Sequence, residues 1–347
     1  MLIKNFHFMK RGTLSELSRL TGFSKTTISR ILSGKADKYR VSDTTQRLVM
    51  SIYRLTCENM DEAAQHLRNN SYRTIGLAVP SISNPFFANL SAYIIAEARK
   101  YDYSVSIFDT QENGTIELEA LYDMRQRKVD GIVIVPCGGR TQELEEMQKH
   151  IPVILVDRYF KKSKLPYIST NNFDGGYMAM KELITAGHRY ILCIEGPSIS
   201  VTTKERERGC KAAIKEFGNN CHVYFRGNEF STDNGYLQTR LLKLLDPQPT
   251  AIFAMSSTIL LGSLQALREL GLKIASDMSI ISFDDFRFLD YFDPPISRIA
   301  QPLKGIGQAA VRIIVGSVES GKIINSQILM TPTLIKGKSI KNIITQR

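Results

Sequence analysis

Residues 75–108 read IGLAVPSISNPFFANLSAYIIAEARKYDYSVSIF. A short apolar run, Ile75–Val79, gives way to an amphipathic pattern over 86–101, then to a second apolar run, Val105–Phe108. Short runs that are apolar throughout fit strands buried on both faces, and a helix-length pattern between two of them predicts a βαβ unit. The alternation continues outward through Gly131–Val135, Val153–Val156, Tyr190–Ile194, His222–Phe225, Ala251–Ala254 and Ser279–Ser282. Helical patterns separate these runs at 115–127, 141–149, 173–186, 203–217, 231–245 and 258–270, and a last one covers 302–320. The prediction is parallel sheets covered by helices on both faces. Roughly 270 residues of such chain favour two lobes over one. The polar, irregular stretch over 157–170 (beginning DRYFKKSKLPY) suits a crossing between them, and a second crossing is expected around 297–301.

The chain has 347 residues, 43% hydrophobic and 23% charged, enough apolar material for sizeable cores. No apolar run is long enough to span a membrane, and the N-terminus MLIKNFHFMKRGTLSEL lacks the apolar stretch of a signal peptide, so a cytoplasmic protein is expected. Five scattered cysteines, Cys57, Cys137, Cys193, Cys210 and Cys221, without a C-x-x-C pair, read as reduced core thiols. The net charge of +11 is uneven: residues 1–74 hold 13 Lys/Arg against 6 Asp/Glu. That N-terminal excess suggests a polyanionic partner, with a solvated basic surface as the plain alternative.

Residues 13–34, TLSELSRLTGFSKTTISRILSG, explain the asymmetry. Leu14, Leu17 and Leu20 mark the apolar face of a first helix, with Thr13 and Glu16 as a capping box. Gly22 breaks the period, Ser24 caps a second helix, and Ile28, Ile31 and Leu32 form its buried face before Gly34 ends it. Helix, tight turn, helix is the geometry that lays a second helix in a major groove. The outward positions Lys25, Thr26, Ser29 and Arg30 are short polar or basic residues able to meet base edges and phosphates.

These stretches, with RVSDTTQRLV and AAQHLR after them, resemble the DNA-binding head of the lactose-repressor/galactose-repressor (LacI/GalR) family. The resemblance runs on through IGLAVPSISNPFFANL, VDGIVIVP, PVILVDR, GHRYILCIEGP, ALRELGL and SIISFDDF, from Thr13 to about Thr333. It implies a small all-α helix-turn-helix head (1–57) with a third helix over roughly 43–55, and a hinge helix or linker (58–72). After them it implies an α/β periplasmic-binding-protein-like core (73–347) of two doubly wound parallel-sheet lobes. The lobe boundaries implied are about 73–165 with 302–330, and about 166–301 with 331–347. The partners implied are double-stranded DNA carrying a pseudo-palindromic operator, a second copy of the chain, and a small-molecule effector of sugar type, without cofactor, metal or membrane. The DNA-facing set carried over is Thr13, Ser24, Lys25, Thr26, Thr27, Ser29, Arg30, Arg40, Gln65 and Leu67, the leucine wedged into the minor groove. Glu58, Asn59, Met60 and Asp61 depart from the family's hinge approach.

For the cleft, matching positions imply Asn84, Phe86, Phe87, Asp109, Arg206, Phe230, Ser256, Ser257, Asp284 and Gln301 as effector contacts. Ser256-Ser257 stand where sugar-responsive members usually carry Asn-Asp, and Asn171-Asn172 where they carry Asp-Asn. With fewer carboxylates there, either the effector is other than a simple pentose or hexose, such as a phosphorylated sugar, a nucleoside or another anionic effector, or other residues recognise it. The tail IKGKSIKNIITQR lacks a leucine heptad run, which favours a dimer. Enzyme motifs (G-x-S-x-G, H-E-x-x-H, a P-loop, G-x-G-x-x-G) do not occur in their required contexts, and the histidines are dispersed. A regulator without a small effector, and a solute-binding protein, are the alternatives; the basic head speaks against the second.

Overall fold

A computed structural model describes residues 14–53 and 71–344, and the chain divides into two compact units after Tyr72. In the first unit α1 (Leu14–Thr21), α2 (Lys25–Leu32) and α3 (residues 43–53) enclose a core of Leu17, Ile28, Ile31, Ala36 and Val49. Leu14, expected on the buried face, is 39% exposed, because the first turn of α1 overhangs this small core. Gly22 takes φ +75°, and its N–H donates to the Ser18 carbonyl at 3.0 Å, so the chain turns sharply between α1 and α2. The Ser24 hydroxyl accepts from Thr27 N–H at 3.1 Å and starts α2, and Gly34 (φ +69°) follows its C-cap. Ser42 plays the same part for α3, accepting from Thr45 N–H at 3.3 Å.

The second unit holds two six-stranded sheets. In the N-lobe the strands are β1 (Thr74–Val79), β2 (Ser104–Asp109), β3 (Gly131–Ile134), β4 (Val153–Val156), β5 (Tyr167–Thr170) and β11 (Gln327–Met330). Their order is β11-β5-β4-β3-β1-β2, and all pair in parallel. In the C-lobe they are β6 (Tyr190–Ile194), β7 (His222–Arg226), β8 (Ala251–Ala254), β9 (Ser279–Phe283), β10 (Ser297–Ala300) and β12 (Thr333–Ile335). Their order is β12-β10-β9-β8-β6-β7, with only β12 antiparallel. The central strands β1, β3, β4, β8 and β9 are buried almost throughout, matching their unbroken apolar sequences. Helices α4 (Pro85–Ala98), α5 (Gly114–Gln126), α6 (Thr141–Gln148) and α11 (Leu303–Ser320) pack on the N-lobe sheet. Helices α7 (Asn172–Thr185), α8 (Val201–Phe217), α9 (Thr232–Arg240) and α10 (Ser257–Glu269) serve the C-lobe.

The lobe boundaries differ from the sequence expectation in one respect. The stretch over 157–166 is a surface loop of the N-lobe, and YIST at 167–170 is a strand of that lobe's sheet. The first crossing therefore falls at Asn171, not near 165. The chain crosses again after β10, through Gln301-Pro302, and a third time between β11 and β12. The crossings are joined to one another: Asn171 N–H donates to the Met330 carbonyl at 2.7 Å, and the Thr170 hydroxyl donates to Gln301 Oε1 at 2.6 Å. Among the described residues no helix is long and apolar enough to cross a membrane.

Candidate functional site

Two surfaces gather the residues that the sequence singles out. The first is the outer face of α2. Lys25, Thr26 and Ser29 are exposed there, with Ser24 at the cap. Thr27 is half-buried and shares a 2.9 Å hydrogen bond with the Ser24 hydroxyl. Arg30 is not free, as its spacing suggests: its guanidinium lies 3.9 Å from the ring centroid of Tyr39, which is itself 46% exposed. Tyr39 therefore aims Arg30, a pairing that helical spacing does not reveal. Arg40 is exposed, in left-handed backbone at φ 54°. Thr13, Gln65 and Leu67 lie outside the described residues.

The second is the cleft between the lobes of the second unit, where side chains line a space of about 370 Å³, open mouth included. Asn84, Phe86, Phe87, Arg206, Phe230, Ser256, Asp284 and Gln301, all singled out from the sequence, line it. On the N-lobe side Asn84 caps α4, its Oδ1 accepting from Phe86 N–H at 3.0 Å. That turn presents Phe86 and Phe87, whose rings meet edge to face at 5.1 Å. On the C-lobe side Arg206, 4% exposed on α8, donates through Nε to Asn172 Oδ1 at 2.8 Å and through Nη1 to the Met255 carbonyl. Its guanidinium lies 3.6 Å from the Phe283 ring centroid and 5.8 Å from that of Phe230. The α7 and α8 backbones touch at Gly176 and Gly209, where a Cβ would collide with the carbonyls of Arg206 and Phe173; this close contact sets the depth of Arg206.

Asp284 follows β9 in left-handed backbone, at φ 78°. Its Oδ1 accepts from Gln301 Nε2 at 2.6 Å and its Oδ2 from Ser257 N–H at 3.0 Å. Ser256 caps α10, accepting from Ile259 N–H at 3.2 Å. Two expected contacts do other work. Asp109 is not a lining residue; its carboxylate accepts from Ile82 N–H at 3.2 Å and from Gln111 N–H at 3.0 Å, tying two loops together. Ser257 reaches the site only through its backbone N–H on Asp284.

Four lining residues, Glu112, Asp157, Arg158 and Thr202, escape the sequence reading. Arg158 and Glu112 form a two-pronged ion pair, with bonds of 2.7 and 2.6 Å, across 46 residues of chain. Burial works against the Arg158 charge, but the Glu112 carboxylate outweighs it and raises its pKa. Asp157, in left-handed backbone at φ 63°, is buried, and burial pushes its carboxyl up to about 6; Arg158 and Arg206 pull it down, and Asp284 and Glu112 push it up. Burial likewise lowers the pKa of Arg206, against the pull of Asp284 and Asp157. A detectable signal was present in PVILVDR: a charged pair directly after a fully apolar strand stands at the carboxyl edge of the sheet, where ligands approach.

The cleft thus sets two arginines and three carboxylates around a small space, Arg206, Asp157 and Asp284 buried among them, with amide and hydroxyl groups between them and three phenylalanine rings beside them. Such a site suits a compact ligand with several hydroxyls, which bridge donors and acceptors while a C–H face rests on the rings. The Cys137 thiol, nearby, is pushed up to about 12 by burial.

Residues 72–338 match the family described as periplasmic binding proteins and sugar binding domain of the LacI family. The ribose operon repressor of Haemophilus influenzae is 30% identical over 331 residues, which is 95% of this chain and 98% of that one. The HTH-type transcriptional repressor PurR of Vibrio cholerae is 28% identical over 338 residues, 96% of this chain and 99% of that one. Among solved structures, a putative ribose operon repressor from Burkholderia thailandensis superposes with a TM-score of 0.68 at 30% identity, covering 76% of this chain and 98% of that one. A LacI family regulator from Enterococcus faecium with bound ribose superposes at 0.70 and 26%, covering 78% and 99%.

Proposed function

Because the chain belongs to the LacI family, we propose that it is a DNA-binding transcriptional repressor whose hold on its operator is set by a small hydroxylated effector closed between the two lobes. The observation that carries this reading is the buried Arg206–Asp284–Asp157 constellation in a ligand-sized space, in a chain that also bears a helix-turn-helix. Effector groups bridging the N-lobe and C-lobe walls favour the closed state by their differential affinity for it, and the head senses that difference. Asn84, Phe86, Phe87, Arg206, Phe230, Asp284 and Gln301 contact the effector; Asp157, Arg158 and Thr202 join them. Lys25, Thr26 and Ser29 read base edges, while Ser24, Thr27, Arg30 and Arg40 meet phosphates. A homodimer presents two such helices to a pseudo-palindromic site, with Gln65 and Leu67 at its centre.

The test is an in vitro selection of random duplex DNA at a stated salt concentration, run with and without a metabolite extract. An enriched palindrome, with enrichment that changes when extract is added, is the expected result. A pool without enrichment under both conditions overturns the reading. On the selected site, Arg30→Ala is expected to lower the slope of log affinity against log salt by about 1.

A further inference from the structure

The space that holds Arg206 opens onto a larger basin of about 1550 Å³, mouth included, with Glu112, Arg158 and Phe230 common to both. The chemistry changes at that threshold. Inside, charged and amide groups converge beside phenylalanine rings; outside, Pro136, Tyr159 and Phe160 from the N-lobe line the same space as Pro197, Ile199 and Val201 from the C-lobe, with three lysines and Glu229 among them. Tyr159 is held in place by stacking on Tyr167, with ring centroids 4.1 Å apart. Ile199 is 80% exposed, a branched aliphatic side chain presented at the mouth of a polar site. A bare ring seated beside Arg206 would leave these apolar surfaces in water, whereas a flat substituent on the ring would cover them.

Resting on the effector reading above, the geometry points to a two-part effector: a hydroxylated ring in the inner space, carrying a flat unsaturated substituent that lies in the outer basin. Nucleosides and aryl glycosides share that chemistry. The inner groups anchor the ring hydroxyls, and the substituent meets Tyr159, Phe160 and Ile199 as the lobes close, so that it binds most strongly to the closed state.

The experiment is calorimetric titration of the full-length chain with matched probes: ribose against adenosine and uridine, and glucose and galactose against their 4-nitrophenyl β-glycosides. At least one substituted probe is expected to bind tenfold or more tightly than its bare sugar. Ile199→Asp, at an exposed position that the fold tolerates, is expected to bring that ratio below threefold. Equal affinities within every pair overturn the two-part effector; if Arg206→Ala then abolishes the bare-sugar binding, the effector reading itself stands. A ratio that Ile199→Asp leaves intact places the substituent elsewhere and also overturns it. Absence of heat from every probe overturns it too, and the operator selection with extract decides the effector reading separately.

Discussion

The two walls of the cleft are built differently. The C-lobe wall is hydrogen-bonded into its own scaffold: Arg206 to Asn172 and Met255, Asp284 to Ser257 and Gln301, on helices whose backbones touch. The N-lobe wall is packed edge to face through Phe86 and Phe87 and ion-paired at its rim through the Arg158–Glu112 fork. A wall whose polar groups are already oriented gives specificity, since little entropy is lost when a ligand arrives. A wall of rings and a rim ion pair gives closure, since it gains most when water leaves. The lesson is that one wall is fixed mainly by its own hydrogen bonds and the other by ring packing and a rim ion pair.

The sharpest way to break this contrast is Arg206→Ala. It leaves Asn172 Oδ1 and the Met255 carbonyl without their donor and removes the cation facing Asp157 and Asp284. Effector affinity is expected to fall by at least a hundredfold in titration, with a stability loss of about 3–5 kcal/mol in denaturant unfolding. An affinity within threefold of wild type places recognition elsewhere.

Next, helix spacing separates the lobes. Gly176→Ala drives a methyl group into the Arg206 carbonyl, whereas at Gly307 between α4 and α11 the nearest atoms to an added Cβ are Tyr93 Cβ at 3.0 Å and Ile94 N at 3.2 Å. The first is expected to cost about 3 kcal/mol and the second under about 1, read as Tm shifts. Equal losses would mean that the C-lobe is not the more tightly set of the two.

The third test is pH. Asp157 has a folded pKa near 6, above its ordinary 3.8, so its contribution is present below about pH 4 and lost as pH rises through 6. His188, in the C-lobe, hydrogen-bonds Thr250 Oγ1 at 2.8 Å and the Lys341 carbonyl at 3.2 Å. Burial pulls it down to about 4 from 6.5, so its contribution is present above 6.5 and lost as pH falls through 4. The two slopes oppose each other over one window. Asp157→Asn is expected to gain about 2 kcal/mol on wild type between pH 4 and 7, and His188→Gln to lose ground over the same interval, measured as denaturant midpoints. A difference profile flat with pH would remove either residue from this account.

The smallest effect belongs to the tie across the mouth, where Lys161 meets Glu205, which also holds Arg208 at its other face. Lys161 is 58% exposed, so Lys161→Ala is expected to change stability by no more than about 0.5 kcal/mol. A larger change would give the rim a share in holding the lobes together.

Strands buried on both faces announce themselves, and β1, β3, β4, β8 and β9 were legible for that reason. β5, β10, β11 and β12 were not, because YIST, SRIA, QILM and TLI are short, lack an unbroken apolar run and pair with strands far along the chain, and β11 and β12 stay partly exposed at the sheet edges. The same distinction holds in the cleft. Arg206, Asp284 and the Phe86-Phe87 pair are legible because they match positions in the LacI-family resemblance. The role of Glu112 exists only through Arg158, and the true work of Asp109 only through Ile82 and Gln111. In the head, Ser24 and Gly22 could be read directly, whereas the stacking of Tyr39 on Arg30 depends on a loop whose course spacing does not reveal.

The three crossings also impose an order on synthesis. The N-lobe opens with β1 at residue 74, yet its edge strand β11 ends only at Met330 and α11, which packs against α4, only at Ser320. The strands of the C-lobe sheet from β6 to β10 have all been synthesised by Ala300. Neither sheet is therefore complete until its last edge strand is made, β11 at Met330 for the N-lobe and β12 at Ile335 for the C-lobe, and the lobe begun first waits for its closing helix while five of the six C-lobe strands already exist.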